Sequence, residues 1–243
     1  MVQTGVAQTA SQDEIGAAPT NPSLQWTLIA STGLVFVAFV QLFLFTEHTD
    51  RFFAWTIKSY QTAAFLGAGY LAAVALVGSA ILQRSWAAAR TGVLAIAVFT
   101  AFTGIFSLVH VDRFHLFVPD ATAQLAAWAW LVVYVATPFL YAIGLGIQTG
   151  LWASPAGAQA ELPSGLRTAL WVQACTMFAI GTALLIYPSG VAAIWPWDLT
   201  PLTGRAVGAW MFAFGIFAVE AAREKAAYLL FRPFAAYALL GVA

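Results

Sequence analysis

Charge is scarce in this chain. Only 8% of its 243 residues are Asp, Glu, Lys or Arg, where a soluble domain carries about 25%. A soluble fold so poor in charge would leave apolar surface in water, whereas lipid tails can face it without cost. The net charge is zero and no Lys/Arg-rich block exists to neutralise phosphates, so nucleic acid is excluded as a partner. Cysteine is nearly absent as well. Cys175 stands alone, and one thiol makes no internal disulfide, CxxC redox pair or Cys-rich zinc site. Walker loops, Rossmann turns, nucleophile elbows, HExxH and EF-hand patterns are all missing.

The first 22 residues lack Lys, Arg and any short apolar core. They do not form a secretory signal peptide. They read as a disordered tail, 1–22, ahead of a single transmembrane domain, 23–243.

Apolar residues fill the remainder: 61% of the chain is hydrophobic, with a mean hydropathy of +0.82. Apolar runs of roughly 20 residues predict spanning helices. The runs lie at about 25–46, 62–83, 91–110, 122–147, 166–187, 204–222 and 226–243. They are continuous, without the alternation of a membrane barrel, and only a helix satisfies its own backbone in lipid. The expected fold is an all-α polytopic bundle of about seven spans.

Let side A be the N-terminal side and side B the opposite one. Arg84, Arg90, Arg167, Arg223 and Lys225 fall on side A; Arg51, Lys58, Arg113 and Arg205 fall on side B. The small Lys/Arg excess favours side A as cytoplasmic. Trp26, Trp86, Trp152 and Trp171 near side A, and Trp55, Trp195 and Trp197 near side B, suit an interfacial belt. Gly67, Gly69, Ala72 and Ala73 in the second span, and Gly144 and Gly146 in the fourth, suit close helix packing.

The clearest pattern is a short repeat. His48-Thr49-Asp50-Arg51-Phe52 ends the first span and His110-Val111-Asp112-Arg113-Phe114 ends the third. Both copies of H-x-D-R-F emerge on side B, so all three histidines, His48, His110 and His115, share one face. A longer, weaker repeat sets Phe53-Ala54-Trp55-Thr56-Ile57 against Trp195-Pro196-Trp197-Asp198-Leu199. With one gap, Thr62 and Gly67-Ala68 fall opposite Thr203 and Gly208-Ala209. Spans 1–3 would then correspond to spans 5–7, a parallel repeat like that of some transporter halves. On that reading the fourth span has no C-terminal partner, and an eight-helix ancestor is expected.

The motifs HVDRFH at 110–115 and WPWDLTPLTGR at 195–205 resemble those of bacterial multipass membrane proteins. The resemblance covers most of the chain beyond residue 24. It implies a bacterial plasma-membrane location and brings no activity, cofactor or catalytic residue with it.

Between helix ends the spans hold almost no ionisable residue; Glu220 and Arg232 are the exceptions. Proton-coupled carriers hold Asp, Glu or His at depth, so a proton-driven pump is disfavoured while a carrier or channel for an uncharged solute stays open. The candidate site is the side-B cluster of Glu47, His48, Asp50, His110, Asp112 and His115. His48, Asp50, His110, Asp112 and His115 could converge on a transition metal, and two imidazoles from separate helices could ligate a haem. The alternatives are interfacial anchoring, with Arg51 and Arg113 snorkelling to lipid phosphate, and acid–base catalysis.

Segments 50–61 and 111–120 suit helices lying in the interface, as a lid over a site or a seal on the bundle. Asp198 and Arg205 could pair across Pro201, with Thr200 or Thr203 as helix cap. On side A, 221–225 is a charged turn and 148–165 a flexible link. Three functions remain in view. The first is a non-enzymatic membrane component, either an accessory subunit beside a membrane partner or second copy, or a small-molecule binder. The second is a metal or haem protein. The third is a carrier for an uncharged molecule.

Overall fold

The structure, a computed structural model, describes residues 18–83, 85–152 and 162–242. It is all-helical apart from one isolated bridge between Pro19 and Ser85. Seven helices carry the fold: α1 (Pro22–Phe39, continuing as a π-helical turn over Val40–Leu44), α2 (Tyr60–Gln83), α3 (Trp86–Val109), α4 (Ala121–Ile147), α5 (Ser164–Ile186), α6 (Pro201–Arg223) and α7 (Phe231–Val242). Among the described residues six, α1 to α6, are long and apolar enough to cross a membrane.

The expected seventh span, 226–243, is divided. A 3-10 turn covers Ala227–Leu230 and the α-helix covers the 12 residues Phe231–Val242. Twelve residues rise only about 18 Å, against a hydrocarbon core of roughly 30 Å.

α6 forms the centre, with 72% of its apolar window buried, and α2 and α3 flank it at 50% each. α1, α4 and α5 turn most of their surface outward, which is where Trp26, Phe36, Val37, Leu125, Val132 and Val172 are exposed. Such a surface is stable only against lipid, because water would exact the full hydrophobic penalty. α1 packs on α2 and α4, α3 on α4 and α6, α5 on α6, and α7 on α2.

Several polar groups inside the spans pair across helices. Tyr70 and Tyr134 share a hydroxyl hydrogen bond of 2.6 Å, Tyr141 donates to Ser31 and Trp130 to Ser107. In lipid an unmet donor costs several kcal/mol, so these bonds fix which faces meet. Pro138 adds a contact of another kind. It has no N–H, so the carbonyl of Tyr134 loses its helical partner. Gly104 of α3 lies against that carbonyl, and a Cβ there would collide with it. Of the small residues expected at interfaces, Gly67 meets Phe43, Gly69 meets Trp210 and Gly144 meets Leu24, while Gly146 faces open space.

Of the expected tail, residues 1–17 lie outside the described residues. Ala18 to Asn21 are tied down instead. Trp86 N donates to the carbonyl of Ala18, Gln148 Nε2 to that of Pro19, and Asn21 caps α1 while bonding Gly144 and Gln148. The expected link at 148–165 is described only to Trp152 and from Leu162.

Candidate functional site

The two H-x-D-R-F copies both turn at the histidine but then differ, with an α-helical turn over Thr49–Phe52 in the first and a 3-10 turn over Val111–Arg113 in the second. His48 (φ −121°, ψ 32°) and His110 (φ −116°, ψ 26°) each stop a helix in the bridge region and begin a new helical turn. Each turn carries the Asp-Arg pair outward and ends in extended backbone, at Phe53, one residue beyond the first motif, and at Phe114, the last residue of the second. Both phenylalanines are buried and both stack on Trp55.

Segment 50–61 therefore does not lie along the interface. Before α2 begins at Tyr60, only Thr49–Phe52 is helical. Beyond it Phe53, Ala54, Trp55 and Ile57 drop into the bundle and are buried. Trp130 of α4 packs edge-on to Phe53 and Trp55 at 5.0 Å. Thr49 Oγ1 accepts from Ile57 N at 2.9 Å and closes the loop. The physical cause is plain: three large apolar side chains in one loop, Phe53, Trp55 and Ile57, gain more by burial than by an interfacial position. The loop is a plug.

The side-B ligand candidates go to different places. His115 is held by the plug, with Nδ1 at 3.0 Å from the carbonyl of Phe53 and Nε2 at 3.0 Å from Thr56 Oγ1. His110 accepts from Arg205 Nη1 at 2.6 Å. Asp112 pairs with its neighbour Arg113 at 3.0 Å, both exposed. His48 and Asp50 are exposed, and Arg51 reaches Asp120 at 3.6 Å rather than Asp50. Among the described residues no group of three His, Cys, Asp or Glu is arranged to hold a metal ion.

Arg205 also departs from the expected lock with Asp198. Its Nε donates to the carbonyl of Leu185, and its guanidinium lies over the ring of Phe106. The cap itself is as expected: Thr200 and Thr203 form a reciprocal capping box ahead of Pro201. Burial, and after it the charge of Arg205, pushes the His110 imidazole below its ordinary pKa. Its Nε2 faces a guanidinium that only donates, so the neutral ring carries its proton on Nδ1.

A second feature lies inside the bilayer. A cavity of about 100 Å3 opens between α1, α3 and α4. Leu34, Val35, Ile96, Phe99, Trp130 and Val133 are among its walls, which are overwhelmingly apolar. Gln41 lines it from the π-helical turn Val40–Leu44. Such turns widen a helix locally and recur at functional sites. Among the described residues the Gln41 carboxamide has no hydrogen-bond partner. Sequence reasoning missed Gln41. The available signal was a single carboxamide within the apolar run Val35–Phe45.

A third feature was also missed. Arg90 is buried near the side-A end of α3 and meets Glu224 at 2.7 Å and Glu220 at 3.6 Å. Glu224 is 1% exposed and its other oxygen accepts from the backbone N–H groups of Lys225 and Ala226. In the sequence these residues look like an ordinary charged boundary.

No family model, curated protein or solved structure matches the chain.

Proposed function

We propose that this integral membrane protein is a non-enzymatic component that holds an uncharged, largely apolar small molecule between α1 and α4. The observation that carries this reading is the intramembrane cavity with the Gln41 carboxamide in its wall. Unpartnered amides in an apolar medium cost several kcal/mol, and a ligand carbonyl or hydroxyl removes that cost. No charged side chain lines the cavity, which favours a neutral head group. The long apolar walls fit a hydrocarbon chain. A bacterial plasma-membrane location, with the N-terminus in the cytoplasm, goes with this reading. It is supported by the resemblance of the side-B motifs and by the Lys/Arg distribution.

The bundle is also read as a duplication of α1–α3 in α5–α7. Equivalent positions behave alike. Ser59 Oγ accepts from Thr62 N before α2, and Thr200 Oγ1 accepts from Thr203 N before α6. Gly67 is the close approach of α2 to α1, and Gly208 that of α6 to α5. α3 packs on α6 as α7 packs on α2. α4 belongs to neither copy, and its contact with α1 creates the cavity wall. The candidate site thus sits where the two halves differ.

The test is to purify the protein in a mild uncharged detergent and extract it with organic solvent for mass spectrometry. Wild-type protein is expected to retain one neutral apolar compound in near-stoichiometric amount. Ala126→Phe, which fills the cavity, and Gln41→Leu, which removes the polar contact, are expected to lose it. Identical extracts from wild type and both variants would overturn the reading.

A further inference from the structure

Next to the His110–Arg205 bond, on side B, lies a separate cavity of about 360 Å3. Its polar walls are Trp55, Thr56, Lys58, His110, Arg113 and Thr200. Trp55, Lys58, His110 and Arg113 carry N–H donors, two of them are cations, and no carboxylate lines the space; the Thr56 hydroxyl is engaged with His115 Nε2 and that of Thr200 with Thr203. The Trp55 ring is only 3% exposed, yet its Nε1–H has no partner among the described residues. Lys58 makes no ion pair among the described residues. The His110 proton sits on Nδ1, because Nε2 is taken by Arg205.

Charge bookkeeping gives the cavity its sign. Asp112 offsets Arg113 from the exposed side. Among the described residues no carboxylate pairs with Lys58. Arg205, directly behind His110, spends its donors on an imidazole nitrogen and the Leu185 carbonyl, both uncharged acceptors. Two uncompensated cations and a surplus of donors are what an oxyanion requires. A metal cation would enter against that field.

We propose that this cavity is a binding site for a phosphoryl oxyanion. Its depth suits the chemistry: the cavity lies at helix ends, where the phosphates of a bilayer also lie. A lipid phosphodiester head group and a soluble phosphate share this chemistry. Lys58, with Arg205 behind His110, supplies the uncompensated charge, Arg113 adds N–H donors while it shares its charge with Asp112, and Trp55 Nε1–H supplies a fixed neutral donor. The site is independent of the apolar cavity and stands whether or not that cavity holds a ligand.

The experiment is thermal unfolding of the full chain in an uncharged detergent, followed by circular dichroism. Three additives are compared at matched ionic strength: sodium chloride, inorganic phosphate, and a short-chain phosphatidylglycerol. At about a hundredfold excess over Kd, a bound ligand is expected to raise the midpoint saturably by roughly 5 °C above the chloride control. A shift with inorganic phosphate identifies a soluble oxyanion; a shift with phosphatidylglycerol alone identifies a lipid head group. Either supports the site. Lys58→Gln and Arg113→Gln, both at exposed positions, are each expected to shrink the shift, and Lys58→Arg to keep it. The proposal is overturned if neither phosphate source exceeds chloride. It is equally overturned if the shift survives intact in the Lys58→Gln/Arg113→Gln double variant.

Discussion

Arg205 donates through Nη1 to Nε2 of His110 at 2.6 Å, joining the N-terminal end of α6 to the residue that caps the C-terminus of α3. This bond replaces the Asp198–Arg205 lock that the sequence suggested. It does so for a simple reason. Arg205 has come in beneath the loop, over Phe106 and against Leu185, while Asp198 stays in the exposed part of that loop.

The bond gives stability a pH dependence. Burial first, and Arg205 second, hold His110 below its ordinary value of 6.5; Asp112 opposes this and Arg113 adds to it. The unfolded chain therefore binds a proton at higher pH than the folded one. Its contribution is present above 6.5 and is lost as pH falls through the lowered folded value. The unfolding midpoint in detergent is expected to fall between about pH 7 and about pH 5, and His110→Gln is expected to flatten that slope. An unchanged slope in the variant would show that other groups carry it.

At the opposite face, Arg90 and Glu224 give a stability prediction. Both are buried, and their contact is 2.7 Å. Arg90→Met leaves Glu224 charged, buried and short of its main partner, which typically costs about 3–5 kcal/mol. Replacing both, Arg90→Met with Glu224→Met, removes the stranded charge and is expected to recover part of that loss, with two backbone N–H groups left unmet. Denaturant titration of the four proteins forms the double-mutant cycle. A single Arg90→Met variant as stable as wild type would contradict the geometry.

The long helices were legible because lipid makes apolar length the dominant signal. The runs at 62–83, 91–110 and 122–147 match α2, α3 and α4 to within a few residues. The recurrence of H-x-D-R-F was legible too, and both copies turn the chain at their histidine, although an α-helical turn follows the first and a 3-10 turn the second. Three things were not. The aromatic residues of 50–61 look identical in sequence whether they lie on lipid or plug a bundle, and only Trp130 across the space decides it. The Arg90–Glu224 pair depends on a tertiary contact between residues far apart in sequence. Gln41 was hidden because its π-helical turn is a backbone event that composition does not announce.

Glycine offers the sharpest test of the helix crossings, because three glycines of similar sequence context have different surroundings. A Cβ on Gly67 would lie 2.8 Å from both Cβ and backbone N of Phe43; one on Gly208 would lie 3.0 Å from Leu184 Cβ and 3.2 Å from the carbonyl of Gly181. At Gly67 the contacts are with backbone and Cβ atoms; at Gly208 the Leu185 Cδ2 at 3.1 Å can swing aside, but the Leu184 Cβ and the Gly181 carbonyl cannot. Gly67→Ala and Gly208→Ala are therefore each expected to destabilise by about 1–3 kcal/mol, the usual cost of overpacking. A Cβ on Gly78 would meet nothing within 4 Å, so Gly78→Ala is expected to stabilise by roughly 0.5–1 kcal/mol through backbone entropy alone. Denaturant midpoints in one detergent compare all three. Equal losses at Gly67 and Gly208 would favour the duplication, since the two positions then close the same helix pair in each half. A gain at either one would mean that its helices stand farther apart than the structure has them, and a loss at Gly78 would reveal a partner on its open face.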